Sequence, residues 1–369
     1  MLGETSFCLL GGAFLKFKRF LAVLSGLTLV ALAAFCVILR ISPTGGKNAV
    51  LAAASLALPD GSFQSESEYV EDKKRQSTEA SREINSSQTK TLFSSEVYSE
   101  DPKIYDGEEK YPVTETTYRE GDTSFENLFI KNTTGLKLDV QKYLERDLGF
   151  DFKKETDVQV LIIHTHTSES YLNYDNGYYH ESFYPRSSNP DRNVVRVGEE
   201  IKSALEANGI GVVHATEFHD DPLYTGAYYR SYDTALKYME EYPDIKVVLD
   251  IHRDSISSGE TGGKVKPVFY VDGKKAAQIM IMAGYDPDGS LEYPFWEDNL
   301  TFALKIQKKA EDMYPGMTRP LYFGNFVYNM NLNTGSLLIE VGTDANTLEE
   351  AVFTGGLFGN VLAEVLQSE

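Results

Sequence analysis

At 369 residues, with 42% apolar and 24% charged residues, the chain can bury a sizeable core, as one large domain or two small ones with extensions. A formal net charge of −20 leaves no basic patch to neutralise phosphates and argues against nucleic acid as a partner. The two cysteines, Cys8 and Cys36, both precede residue 40, so the rest of the chain has no disulfide framework, thiol nucleophile or cysteine-ligated metal, and His, Asp and Glu are its candidate ligands.

Residues 1–19 end in a basic flank, Lys16, Lys18 and Arg19. The uncharged stretch that follows, residues 20–39 ("FLAVLSGLTLVALAAFCVIL"), has the length that about 30 Å of hydrocarbon requires of a helix. The positive-inside rule then makes 1–19 a cytoplasmic N-terminus, 20–39 a single-pass transmembrane anchor in the cell membrane, and everything beyond it extracytoplasmic. A cleaved signal peptide, whose apolar core is about 7 to 15 residues long, is the competing reading. Residues 40–123 contain runs such as "SESEYVEDKKRQSTEASREINSSQTK". That composition buries too little apolar surface to offset its conformational entropy, so the segment reads as a flexible extracytoplasmic linker.

The expected folded domain is 124–369, with its core at 157–369. Residues 124–150 regain apolar spacing and predict a short helix beside the core. From Asp157 onward apolar runs alternate with amphipathic helical patterns. "VQVLIIH" leads to "NVVRVGEEIKSALEANG", where Val194, Val197, Ile201 and Leu205 recur at helical spacing and Gly209 marks a stop. A strand "IGVVHAT", a helix "YDTALKYMEEY" and a strand "IKVVLDIH" come next. "KPVFYVDGKKAAQIMIMAG" predicts a hairpin turning at Asp272-Gly273. A helix "EDNLTFALKIQKKAEDMY", the strand "SLLIEVG" and a helix from about Leu348 close the domain. The alternation predicts an α/β fold with a mostly parallel central sheet flanked by helices.

Three apolar strands end alike: "VLIIHTHTSE", "VVLDIHRD" and "LLIEVGTD" each deliver His, Asp or Glu at the carboxyl end, the edge where open α/β sheets bind ligands. If these strands are parallel neighbours, His164, His166, Glu169, His252 and Glu340 converge. Such a set suits hydrolytic Zn²⁺: two His and one carboxylate as ligands, an open position for water, and a carboxylate left over as base. A lone histidine at a strand end is more often structural, and Glu340 alone would be a buried acid in need of a partner. Arg253 and Asp254, after the third histidine, are candidates for orienting it or binding substrate carboxylates, or for a structural ion pair. His219, in "HDD", is a candidate for backing a ligand through a carboxylate. His180, in the tyrosine-rich loop "NYDNGYYHESFY", and His214 are weaker candidates. The order HxHxxE also departs from the HxHxDH signature of dinuclear metallo-β-lactamase-like hydrolases at positions 168 and 169.

"HTHTSESY", "NVVRVGEEI", "SYDTALKYM", "VVLDIHRDS", "YPGMTRPL" and "LLIEVGTDANTLEEA", in this order from roughly Phe125 to the C-terminus, resemble the stage II sporulation protein P family. The resemblance implies a zinc amidase-like fold, and a membrane-anchored peptidoglycan hydrolase related to zinc-dependent N-acetylmuramoyl-L-alanine amidases. It would act on septal cell wall during engulfment, with peptide cross-link cleavage as a further activity. It also implies two partners, a septal lytic transglycosylase and a multi-span membrane protein. In residues it implies His164 or His166 as the first ligand, His252 as the later histidine and Glu340 as catalytic base. The amidase relatives place a glutamate ligand about fifteen residues after the first histidine; here only Glu181 and Asp191 lie in that region, and Glu169 is the preferred substitute. A non-catalytic peptidoglycan-binding scaffold is the alternative from another class.

Overall fold

The computed structural model describes residues 107–153 and 158–368. In chain order these form β1 (Lys110–Thr116), β2 (Thr123–Phe125), β3 (Leu128–Asn132), α1 (Val140–Leu144), β4 (Val160–Ile163), β5 (Tyr178–His180), α2 (Val194–Ala207), β6 (Val212–His214), α3 (Ala227–Glu241), β7 (Val247–Asp254), β8 (Lys264–Val271), β9 (Lys274–Ala277), β10 (Ile279–Gly284), α4 (Trp296–Met313), β11 (Leu321–Gly324), β12 (Ser336–Thr343) and α5 (Leu348–Gln367). The expected anchor at 20–39 lies outside the described residues, and no helix among those described is long and apolar enough to cross a membrane.

The described strands build a mixed eight-stranded sheet, ordered β2-β3-β11-β10-β12-β7-β4-β6, and a four-stranded sheet, β5-β1-β8-β9. In the large sheet only the β2–β3 and β10–β12 pairings are antiparallel. The three strands singled out for their polar ends are neighbours in parallel, β12 beside β7 beside β4. Alternation of side chains sorts the sheet's two faces. On one, Val160, Ile162, Leu249, Ile251, Ile339 and Val341 pack against α2, α4 and α5. On the other, Leu161, Ile163 and Val248 meet Ala235 of α3, while Leu338, Met280 and Met282 meet Tyr293 and Phe326.

Local chemistry accounts for most element ends. Asn193 caps α2, its side chain accepting from Val195 N–H, and Gly209 follows at φ 77°. Thr347 and Glu350 form a capping box at the start of α5. Asp272 and Gly273 both have positive φ, at 49° and 80°, as a tight hairpin turn requires. The returning arm of this hairpin divides at Gln278, so that β9 pairs with β8 and β10 joins the large sheet. Gln278 is fully buried, and its amide bonds to backbone groups of Tyr118, Gly316 and Thr318 across the junction.

Two segments differ from expectation. Residues 124–150 supply β2, β3 and the five-residue α1 rather than one helix alone. Lys110–Thr116, expected in the flexible linker, is a strand between β5 and β8. Its sequence "KYPVTET" carries no apolar stripe, because what holds it is backbone pairing to segments far along the chain. That pairing is close: a Cβ added to Gly263 would lie 1.9 Å from the Pro112 carbonyl oxygen, and backbone cannot swing aside. Gly263→Ala is therefore expected to lower unfolding stability by about 1–3 kcal/mol in urea titration. An unchanged midpoint would mean that β1 is not seated against β8.

Candidate metal centre

His166 and Glu169 are brought together by a tight turn directly after β4. Glu169 N–H donates to His166 O at 3.0 Å, closing the turn. Its tip is fixed by the buried Asp220, which accepts from Ser168 N–H at 3.1 Å and from its hydroxyl at 2.6 Å. Past the turn, Glu169 O accepts from Val194 N–H at the start of α2. His252 comes from β7, and Glu340 from β12 is its register partner, so the two side chains stand side by side on the sheet face opposite α2 and α5.

His166, Glu169 and His252 are the one group among the described residues whose ligand atoms could hold a metal ion, all within 4.8 Å of one another and all buried. Glu169 Oε1 lies 3.4 Å from His166 Nδ1, and Oε2 lies 3.4 Å from His252 Nδ1. These separations are long for hydrogen bonds. They match the ~3.3 Å between neighbouring ligands of a tetrahedral ion with bonds of about 2.0–2.1 Å. Buried His166 Nε2 and Glu340 Oε2 make no hydrogen bond among the described residues. Buried polar atoms are rarely left so. A His, Glu, His donor set with a further unpaired carboxylate fits Zn²⁺.

The rings are held in place by aromatic contacts. His166 stacks on Tyr224 at 4.5 Å between centroids and meets His252 edge-on at 5.0 Å. Arg186, paired with Asp220 at 2.7 Å, covers the Tyr224 ring at 4.8 Å. Burial raises the Glu169 pKa, but the Arg253 charge and both imidazoles outweigh it and hold the carboxyl well below its usual range. Burial favours neutral His252, and Asp250 together with Glu169 overcomes it, holding the imidazole above the usual range. Glu340 is pushed up to about 8, by burial first and by the Asp254 charge next.

The remaining sequence candidates lie elsewhere. His164 continues the alternation of Val160 and Ile162 and so falls on the α2 face, away from the group. Its Nδ1 is 2.9 Å from Ile251 O and its Nε2 2.8 Å from His214 Nε2, so both ring nitrogens are engaged. Burial, then His214, lowers its pKa to about 3. His219 buttresses the turn, with Nδ1 donating to His164 O at 2.7 Å and Nε2 at 2.9 Å from Thr234 Oγ1. Arg253 backs the group: its guanidinium donates to Ser170 O and Pro185 O and lies 3.8 Å from Glu169 Oε1, and its N–H donates to Glu169 Oε2 at 3.1 Å. Asp254 pairs with Arg319 at 2.8 Å. Tyr224, Tyr228, Arg186 and Asp250 surround the group and were not singled out by the sequence. Only Asp250 left a signal there, two residues before His252 on the same strand face.

An α/β sheet that delivers a buried His-Glu-His group and an adjacent acid to the ends of neighbouring parallel strands defines a candidate metal centre. The model of the stage II sporulation protein P (SpoIIP) family matches residues 48–366, and the chain belongs to that family. It is 30% identical over 217 residues to stage II sporulation protein P of Bacillus subtilis (strain 168), a match covering 56% of this chain and 50% of that one. The matched region thus spans about half the length of the curated relative. Among solved structures, the chain is similar to the N-acetylmuramyl-L-alanine amidase Ami1 from Mycobacterium smegmatis, at 14% identity and a TM-score of 0.35, covering 58% of this chain and 99% of that one. It is also similar to N-acetylmuramoyl-L-alanine amidase AmiC2 of Nostoc punctiforme, at 11% identity and a TM-score of 0.33, covering 58% and 97%. Scores at this level carry no residue of either chain onto this one.

The geometry separates the two histidines of "HTH" experimentally. Purified His166→Ala and His252→Ala are expected to lose tightly bound zinc, read by metal analysis after dialysis. His164→Ala should keep its zinc while losing about 1–3 kcal/mol of stability, because Ile251 O and His214 lose a buried partner. Zinc lost from His164→Ala but kept in His166→Ala would reverse the assignment.

Proposed function

We propose that the chain is a membrane-anchored, zinc-dependent peptidoglycan hydrolase, an N-acetylmuramoyl-L-alanine amidase acting on septal cell wall during sporulation. The observation that carries this reading is the buried His166, Glu169, His252 group with Glu340 in register beside it. Family membership supports the sporulation setting. The motifs "HTHTSES" and "DIHRD", which resemble those of enzymes related to zinc amidases, supply the ligands. In this reading residues 1–19 are cytoplasmic, 20–39 anchor the protein, and the linker ends where β1 begins. Septal lytic transglycosylase and multi-span membrane proteins are the proposed partners, peptidoglycan the substrate.

His166, Glu169 and His252 are the residues that would hold the ion. Bound there, zinc supplies polarisation of the scissile amide carbonyl and lowers the pKa of a water toward about 7. Glu340 takes the proton of the attacking water at Oε2 and returns it to the leaving amine nitrogen. Burial and the Asp254 charge raise its pKa to about 8 in the metal-free chain, and beside a bound dication it would shift back toward the carboxylate that accepts the proton. Tyr224 and Tyr228 fix the planes of the two imidazoles against which the substrate would settle.

A glutamine at position 340 keeps shape and reach but cannot accept the proton. Glu340→Gln should keep its zinc and still bind sacculi, yet release stem peptides at least about a hundredfold more slowly, since general-base contributions run about 10² to 10⁴-fold. Full activity would remove Glu340 from the central step. Loss of zinc would make it a ligand, with Glu169 the next candidate for base.

A further inference from the structure

Asp250, Thr165, Ser231 and Asn329 have no role in the proposed mechanism, yet they form a closed, buried network directly behind His252. Asp250 and His252 are two residues apart on β7, so both side chains leave the same sheet face. Thr165 holds both Asp250 oxygens: its N–H donates to Oδ1 at 2.8 Å and its hydroxyl to Oδ2 at 2.6 Å. Thr165 Oγ1 is 2.6 Å from Ser231 Oγ, and Asn329 Nδ2 donates to Ser231 Oγ at 2.8 Å and to Thr165 Oγ1 at 3.2 Å. Asn329 and Tyr328 sit at φ 60° and 41°, left-handed conformations that Asn tolerates better than most residues and that persist where the surroundings over-determine them.

This clamp leaves the carboxylate facing one further group. Asp250 Oδ1 lies 2.9 Å from His252 Nε2. The ring N–H is out of line with that oxygen, and χ2 of histidine is a soft torsion. On the other side of the ring, Nδ1 faces Glu169 Oε2 at 3.4 Å. The imidazole is thus strung between two carboxylates, one clamped by hydroxyls and one belonging to the candidate metal group.

We propose that Asp250 is the positioning residue of His252. It accepts the Nε2–H and so fixes the tautomer that presents Nδ1 to a zinc ion, and Thr165, Ser231 and Asn329 hold it in place. Carboxylates in this role orient a ligating imidazole and raise its basicity. The inference rests on the zinc-centre reading above and adds to it a determinant of metal affinity.

The test uses the full-length chain, stripped of metal and titrated with zinc alone against a chelating dye, with thermal unfolding of the metal-free protein in parallel. Asp250→Asn keeps the shape and a partner for Thr165 but loses the charge. It should bind zinc about 10- to 100-fold more weakly while the metal-free protein still unfolds in one cooperative transition. Thr165→Val removes the clamping hydroxyl and should weaken zinc binding severalfold, and Thr165→Ser should restore it. A folded Asp250→Asn with wild-type zinc affinity overturns the proposal. Should that variant not fold, the threonine pair decides, and a Thr165→Val protein with wild-type affinity overturns it equally. Wild-type protein that binds no zinc would instead overturn the metal-centre reading itself.

Discussion

The buried carboxylate of Glu169 is the constraint on which the site depends. Its oxygens reach the Nδ1 atoms of His166 and His252, and Oε2 accepts the Arg253 backbone N–H. A lone charge at this depth would cost several kcal/mol, and it persists here because hydrogen-bond donors and positive charge surround it. That arrangement needs the turn after β4 to close, β7 to lie beside β4, and the loop from Ser170 to Asn193 to run close by. Arg253 holds that loop through Ser170 O and Pro185 O. One candidate metal group therefore joins the turn after β4, and the loop that continues it, to β7, whose Arg253 lies 84 positions from Glu169.

The parts of this arrangement that could be read from sequence are those set by strand ends. His252 and Glu340 were legible because each closes an apolar run, and runs of that kind become neighbouring parallel strands in an α/β sheet. The choice within "HTH" was not legible, since it turns on where β4 stops. His164 still obeys the strand's alternation and faces α2, whereas His166 lies in the turn, where a period of two no longer applies. Asp250 hid inside the apolar run, its polarity hard to interpret until Thr165 is seen to hold both its oxygens. β1 was hidden for a different reason: a strand whose register partners lie 66 and more positions away leaves no mark in its own composition.

The smaller sheet shares the main core through Phe269 and Ala276 and is tied to α5 by a buried charge as well. Lys266 of β8 is 1% exposed, yet its ammonium reaches Asp175 at 2.7 Å, Glu350 at 2.9 Å and Glu115 at 3.2 Å. Glu350 is the capping-box residue of α5, Glu115 belongs to β1, and Asp175 lies in the tyrosine-rich loop that leads away from the metal group. Lys275 adds contacts to the same Glu115 and Asp175. Because one buried cation is reached by carboxylates from strand, helix and loop at once, the three segments hold one another in position. The tyrosine-rich loop, which the sequence left open between substrate contact and solvated surface, is thereby fixed to the frame that carries Glu169.

The two faces of the large sheet divide the work of stability and chemistry. The face covered by α2, α4 and α5 is apolar along every central strand, and its burial supplies most of the folding free energy. The opposite face gives up part of that gain, placing Asp250, His252 and Glu340 where valine or leucine would pack. Glu340 is the clearest case. Ile339 and Val341, on either side of it, belong to the apolar core, while its own Oε2 is buried without a hydrogen bond and the Asp254 charge, itself paired with Arg319, still raises its pKa. Burial and the Asp254 charge outweigh the favourable charges of His252 and Arg319, so a carboxylate so placed weakens the fold. Perturbed, under-partnered acids cluster where proton transfer is needed. Its position in register with His252 puts that unpaired oxygen beside the one group of the described residues able to hold a metal ion.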